Sequence, residues 1–213
     1  MSSTNAKGKV QWRRNRGDTA ARRRETMPWL IKRYKLVILG AATVGKSSLV
    51  SHFTHGSYLS VKENTLVAAF SSIYLNKCLK FDTWEVAGEE RWHRLAHLYY
   101  RGAQAALVVY DVQDRASYVC AKDWIDEVRI KLAPDLVIAI AANKVDLWDD
   151  LCVNSDEMKS LAQNNDYIFM ETSARTGQNV HEIFAAIAEK LQARKNPDTL
   201  KVSSDEFCGC RIL

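Results

Sequence analysis

Between an apolar run and a helix-forming stretch lies Gly40-Ala-Ala-Thr-Val-Gly45-Lys46-Ser47: two glycines, a lysine and a hydroxyl at fixed spacing. The pattern G-x-x-x-x-G-K-[ST] lets the chain fold tightly, so that backbone N–H groups turn inward around phosphate oxygens. Lys46 then supplies a positive charge for the β- and γ-phosphates, and Ser47 a hydroxyl for a magnesium ion. Ala42 and Thr43 sit at the tip of the loop, and Val44 and Ser48 complete the cradle.

A phosphate cradle does not choose a base. Asn143-Lys144-Val145-Asp146, directly after the apolar run LVIAIAA, can. The Asp146 carboxylate can accept two hydrogen bonds, from the guanine ring N–H and its exocyclic amine. Adenine offers no such donor pair and would leave a buried carboxylate unpaired. Asn143 can bridge neighbouring loops and contact the base, and the Lys144 stem can lie over the ring. Ser173 and Ala174, after the run YIFMET, can offer backbone N–H groups to the guanine carbonyl, with Arg175 beside them. On its own, N-K-x-D is a common surface tetrapeptide. A cradle upstream and an ETSA element downstream make coincidence a poor explanation.

The elements that must carry these groups are regular from Tyr34 onward. YKLVIL (34–39) reads as a buried strand leading into the cradle and then a helix. Residues 67–75 and 78–84 read as two strands around an Asn-Lys turn. A helix reaches Tyr100, AALVVYDV (105–112) is a buried strand, and 116–132 is a helix. DLVIAIAANKVDL begins as a strand and ends as a loop. SDEMKSLAQNN is a helix capped by Ser155, YIFMETSA a strand, and NVHEIFAAIAEKLQARK an amphipathic helix. Strands alternating with helices predict an α/β fold whose mostly parallel sheet is covered on both faces. The strands at 67–75 and 78–84 are too close for a crossover, so one edge should be antiparallel. Ligands in such sheets sit beyond the carboxyl ends of the strands, where both motifs fall.

Charge divides the chain. Residues 1–33 hold ten Lys or Arg against Asp18 and Glu25, a net +8 within an overall +5, so the rest is mildly acidic. The basic character belongs to the arm, and a nucleic-acid-binding domain is not indicated. The arm (1–33) lacks hydrophobic periodicity and reads as disordered. It could alternatively meet anionic lipid or a partner; Asp18 and Glu25 argue against a mitochondrial presequence, and Met27 before Pro28 also suits a translation start. No apolar run approaches the roughly 20 residues of a membrane-spanning helix, and the N-terminus lacks a secretory signal's apolar stretch. Cys78, Cys120 and Cys152 lack metal-ligand spacing and read as reduced thiols filling the core.

On the cradle, AAF, YYRGAQAALVVYD, NKVD and ETSA, the chain over about residues 34–192 resembles the Rab family of Ras-like small GTPases, most closely its early-endosomal branch. That resemblance implies a three-layer P-loop domain with a six-stranded sheet and five helices, and a GTP/GDP cycle with Mg2+. It also implies a monomer acting in vesicle traffic. Its partners would be an exchange factor, a GTPase-activating protein, a Rab escort protein, GDP-dissociation inhibitor and effectors. It would work on the cytoplasmic face of intracellular membranes, endosomal ones first, and be cytosolic with GDP. By position, Thr65 would be the first-switch threonine, its hydroxyl on Mg2+ and its N–H on the γ-phosphate. Phe70, Trp84 and Tyr99 would face effectors, although large aromatics at such positions can also be plain core.

The chain departs from the family at four positions. Val67 stands where the Rab pattern has Gly, and a β-branched side chain restricts the backbone. The pattern W-D-T-A-G-Q-E-R is here Trp84-Glu85-Val86-Ala87-Gly88-Glu89-Glu90-Arg91. Glu85 would join Ser47 and Thr65 at the metal with an arm one methylene longer, which should weaken Mg2+ binding. Lys46 and Glu89 are the catalytic candidates. A Gln amide accepts from an attacking water and donates to the transition state, whereas a carboxylate only accepts. Gly88 is retained, and its N–H can sense the γ-phosphate. Slowed hydrolysis is the expectation; Glu89 as general base is the contrary one.

After the polar spacer NPDTLKVSSDEF come Cys208-Gly209-Cys210-Arg211-Ile212-Leu213 in the tail (193–213). Cys210 fits C-a-a-X with the terminal Leu that favours geranylgeranyl, and Cys208-x-Cys210 resembles a double-prenylation pattern. A free thiol pair is the plain alternative. Three readings compete: a GTPase switch, favoured by Lys46, Ser47, Thr65 and Asp146; an atypical Rab scaffold, constitutively loaded or nucleotide-poor, favoured by Glu85, Val67 and Glu89; and an ATP-dependent kinase, disfavoured by Asp146.

Overall fold

The computed structural model describes residues 31–58, 67–76, 78–147, 153 and 155–195; of 90–93 and 195 only the backbone is described. Most of the N-terminal arm, Thr65, Cys152 and the tail with Cys208 and Cys210 lie outside the described residues.

The central strands are built around apolar runs. β1 (Lys32–Leu39), β4 (Ala105–Asp111) and β5 (Val137–Asn143) pair in parallel, and every residue of β4 and β5 is buried. With β6 (Ile168–Thr172), β3 (Leu79–Val86) and β2 (Ala68–Asn76) they form one six-stranded sheet in the order β2-β3-β1-β4-β5-β6. Only β2–β3 is antiparallel. Its turn is closed locally: the Cys78 N–H donates to Asn76 Oδ1 at 2.8 Å, the Asx geometry that lets so short a connection reverse the chain.

Alternation along β1 divides the core. Tyr34, Leu36 and Ile38 face one side, with Leu49 and Val50 of α1 (Lys46–His55) and Ile183, Phe184 and Ile187 of α5 (Val180–Lys195). Val37 and Leu39 face the other. There they meet Ala96 and Tyr100 of α2 (Glu90–Tyr100), Tyr118, Trp124 and Val128 of α3 (Arg115–Lys131), and Met158 of α4 (Asp156–Asn164). Small residues in β4 and β5, among them Ala105, Ala106, Ala139 and Ala141, fill the middle of this two-faced packing. The mostly parallel sheet covered on both faces is what the alternation predicted, and the six strands and five helices among the described residues are what the family resemblance implied.

Three local readings change. β1 starts at Lys32, inside the stretch assigned to the basic arm, because ladder pairing is a backbone property: Lys32 and Arg33 are in register with Leu79 and Lys80. Arg33 also donates to Asp82 Oδ2 at 2.8 and 3.1 Å. Partial burial works against the Asp82 charge, yet hydrogen bonds from Arg33 and Lys80 hold its carboxyl below the usual range. Ser155 occupies the position before α4, but with helical backbone (φ −75°, ψ −8°) and no capping bond. Its hydroxyl instead accepts from Tyr110 at 3.3 Å. Cys78 is exposed at the turn rather than in the core, and Cys120 is half-buried.

Candidate functional site

Four carboxyl ends of parallel strands converge on one cleft of about 600 Å3. The loop after β1 brings Ala42, Thr43, Gly45 and Lys46, and α1 opens with Ser47 and Ser48. The loop after β3 brings Gly88 and Glu89, the loop after β5 Asn143, Lys144 and Asp146, and the loop after β6 Ala174 and Arg175. Gly40 and Val44 stand behind this surface: Val44 is buried, and its contribution is a carbonyl.

The cradle is set by backbone that most residues avoid. Gly45 sits at φ 97°, and a Cβ there would lie 2.4 Å from Asn143 Nδ2. Thr43 is left-handed without being glycine (φ 63°). Gly88 is required for a different reason, close approach: a Cβ would lie 2.1 Å from the Ala41 carbonyl carbon. The loop after β3 thus rests directly on the loop after β1.

Lys46 is buried and curls over its own loop, donating to the carbonyls of Gly40 (2.9 Å) and Ala41 (2.6 Å). Two of its three N–H donors are used, and the third is left for a ligand oxygen. Burial pushes its ammonium down to about 8, and the nearby Glu85 charge opposes that shift. Glu85 is itself only 5% exposed; burial raises its carboxyl, against a hydrogen bond with Ser47 and the Lys46 charge. Burial therefore outweighs the attraction between the two, and each is pushed toward its neutral form.

This is also where a cation's fit can be tested. Glu85 Oε2 is buried with no hydrogen-bond partner, while the same carboxyl bonds the Ser47 hydroxyl. An orphaned carboxylate oxygen beside a hydroxyl suits a hard divalent ion, so the residues present fit Mg2+. Among the described residues there is no cluster of three or more His, Cys, Asp or Glu able to hold a metal alone. A cation here would need phosphate oxygens to complete its shell.

The base-reading side is tied together by one amide. Asn143, fully buried, donates through Nδ2 to Val44 O at 2.8 Å. Its Oδ1 accepts from Ala174 N–H and from the Thr172 hydroxyl, both at 3.2 Å. Three loops are thereby joined. Asp146 Oδ1 accepts from the Ser173 hydroxyl at 2.6 Å, which orients the carboxylate while leaving it acceptor capacity. Lys144, left-handed at φ 70°, sends its ammonium to Asp111 Oδ2 at 2.5 Å, which fixes the course of its stem.

Replacing Asn143 by Ala removes all three bonds from buried groups at once. The expected loss is about 3 kcal/mol, or roughly 10 °C in Tm. Thermal unfolding without added nucleotide measures it; an unchanged midpoint would show that the tie carries no stability.

Sequence reasoning missed several contributors. Asp111 ends the apolar run AALVVYD, so the rule that found Asn143 would have found it too. Thr172 orients Asn143, and His52 Nδ1 lies 2.8 Å from Ala174 O. Tyr58 and Leu147 also line the cleft, and nothing in their local spacing announces it.

The aromatic candidates come together on the opposite edge of the site. Phe70 and Trp84 are directly opposed across β2–β3, with ring centroids 5.1 Å apart, and Tyr99 of α2 lies 5.6 Å from Trp84. Phe70 is 55% exposed, whereas Trp84 and Tyr99 are half-buried and Tyr99 packs against the core, so the cluster runs from surface to core. The Val67 carbonyl accepts from Ala87 N–H at 2.9 Å, tying the entry of β2 to the loop after β3.

Residues 35–193 match the family model described as "Ras family". Over 172 residues the chain is 48% identical to "Ras-related protein Rab-5A" of Dictyostelium discoideum, an alignment covering 79% of this chain and 85% of that protein.

Proposed function

Because the chain belongs to the Ras family of small GTPases, in its Rab branch near the early-endosomal members, we propose that it is a GTP/GDP switch for endosomal vesicle traffic whose hydrolysis is slowed. The observation that supports this most is that Lys46 and Asp146 line the same cleft, one suited to polyphosphate and the other to guanine. Lys46 holds the phosphates, Asp146 and the Ser173–Ala174 turn read the base, and Tyr58 offers an aromatic face beside them. Mg2+, held by Ser47, Glu85 and, from outside the described residues, Thr65, would neutralise phosphate charge. Glu89 stands at the cleft where an attacking water must be oriented.

Calorimetry with GTP, GDP and ATP tests the reading. GTP and GDP should bind at least a hundredfold more tightly than ATP; equal uptake of ATP would end it. The second reading, an atypical scaffold that is constitutively loaded or nucleotide-poor, draws on Glu85, Val67 and Glu89 and differs in nucleotide content and turnover rate.

The Phe70–Trp84–Tyr99 cluster, exposed at Phe70, is the proposed effector face, with exchange factor, GTPase-activating protein, escort protein and GDP-dissociation inhibitor as the other partners. Among the described residues no helix is long and apolar enough to cross a membrane. Attachment is assigned to prenyl groups on Cys208 and Cys210. A single chain would hold only marginally at ~0.8 kcal/mol per buried CH2, whereas two would anchor stably. Mass spectrometry of the C-terminal peptide from cells should show added isoprenoid mass, and an unmodified Cys210 would refute the anchor.

A further inference from the structure

We propose that His52, a buried imidazole on α1, is a positioning residue for base recognition: by holding the Ala174 carbonyl it aims the Arg175 N–H at the guanine carbonyl. This deepens the guanine reading above and rests on it.

A carbonyl can only accept, and the Ala174 oxygen lies 2.8 Å from His52 Nδ1, so that nitrogen must carry a proton. The bond is buried, with His52 only 9% exposed. No described peptide bond is cis. A trans peptide is planar, with its C=O and N–H pointing to opposite sides. Fixing the Ala174 carbonyl on His52 therefore turns the Arg175 N–H away from α1. Ala174 and Arg175 line the cleft, with His52 behind them, so the side left to that N–H is the cleft. The flanking donors are already committed. Ala174 N–H goes to Asn143 Oδ1 at 3.2 Å, and Thr176 N–H to Ser173 Oγ at 3.0 Å. Among the described residues the Arg175 N–H has no hydrogen-bond partner, which leaves it for a ligand acceptor.

A second observation comes from the other edge of the ring. A Cβ at Gly177 would lie 2.5 Å from His52 Nε2 and 3.0 Å from Cε1. The turn thus closes on the imidazole from both sides, with a carbonyl at Nδ1 and the Gly177 backbone at Nε2. Gly177 N–H donates to Ser173 O at 2.9 Å and fixes that closure. The same helix opens at Lys46, on the phosphate side. At 1.5 Å per residue His52 stands about 9 Å further along the axis. One rigid element therefore braces the phosphate grip at its start and the base-reading turn near its end.

The test compares GDP with 6-thio-GDP on the full chain. The thio analogue keeps the ring N–H and the exocyclic amine for Asp146 but offers sulfur, a weak acceptor, in place of the carbonyl oxygen. Wild-type protein should prefer GDP about tenfold, the effect of one hydrogen bond. His52→Leu keeps the bulk and removes the donor, and should reduce that preference to less than about threefold by weakening GDP alone. His52→Gln retains a donor and should recover most of it. General loosening of the turn would instead weaken both nucleotides alike, so an unchanged preference in His52→Leu would overturn the assignment while leaving guanine binding intact. Wild-type protein labelled with 15N needs no variant to fold. Its spectra should show the proton on His52 Nδ1, and an Arg175 amide resonance that moves when GDP is exchanged for 6-thio-GDP. An unprotonated Nδ1 or an unmoved Arg175 amide would equally overturn the role of His52. Failure to bind GDP at all would overturn the guanine reading as well.

Discussion

Asp146→Ala will weaken GTP by a factor between about a hundred and ten thousand, while the chain stays folded. The estimate follows from two charge-assisted hydrogen bonds to the base, each contributing about 1.5–3 kcal/mol. The fold should survive because Asp146 lines the cleft and, among the described residues, its hydrogen-bond partner is the Ser173 hydroxyl. Ser173 keeps a second role, accepting from Thr176 N–H at 3.0 Å, so the turn after β6 retains its geometry. Calorimetry with GTP measures the loss, and ATP provides the control. Discrimination between the two should collapse, since what remains is the phosphate grip around Lys46. If GTP affinity falls less than tenfold, the guanine is read by something other than this carboxylate.

The second large effect concerns turnover. Glu89→Gln will raise single-turnover phosphate release about a hundredfold. Glu89 precedes α2 with extended backbone (φ −79°, ψ 136°), makes no capping bond, and borders the cleft beside Gly88. From there a carboxylate can accept from a water but can donate nothing to the charge that develops on the phosphoryl oxygens. Loss of one such donor costs about 2.7–4 kcal/mol in comparable sites. A negative charge ~4 Å from the γ-phosphate adds roughly 4 kcal/mol of repulsion at an effective dielectric near 20. Swinging outward relieves the second penalty but not the first, which is why the expected gain is hundredfold and not larger. The opposite assignment, Glu89 as general base, predicts that the variant is slower. A wild-type rate equal to or above that of Glu89→Gln would decide for it.

The sheet was legible because its central strands contain apolar runs, and because Gly40, Asp111 and Asn143 close those runs at their carboxyl ends. The same rule located both halves of the cleft. What escaped were contacts decided by side-chain reach. That Glu85 bonds Ser47, or that Lys144 is fixed by Asp111, depends on how far one chain extends from a neighbouring strand, and spacing along the sequence holds no record of it. Residues whose backbone role overrides their side-chain type were misread for a related reason. Lys32 and Arg33 belong to a strand because their amides pair. Ser155 precedes a helix in a conformation that keeps its hydroxyl from capping. Tyr58, three residues past the end of α1, enters the cleft without any periodic signal.

Asn143 has one more implication. A single amide clamps the phosphate loop through Val44 and the base loop through Ala174, so ordering either one reduces the entropy left to be lost at the other. Guanosine alone should stiffen the receptor for its missing phosphates, and pyrophosphate alone should stiffen the receptor for its missing base. The intact nucleotide would then bind more tightly than its separate fragments, each measured alone, can account for, even after the advantage of their covalent linkage is included.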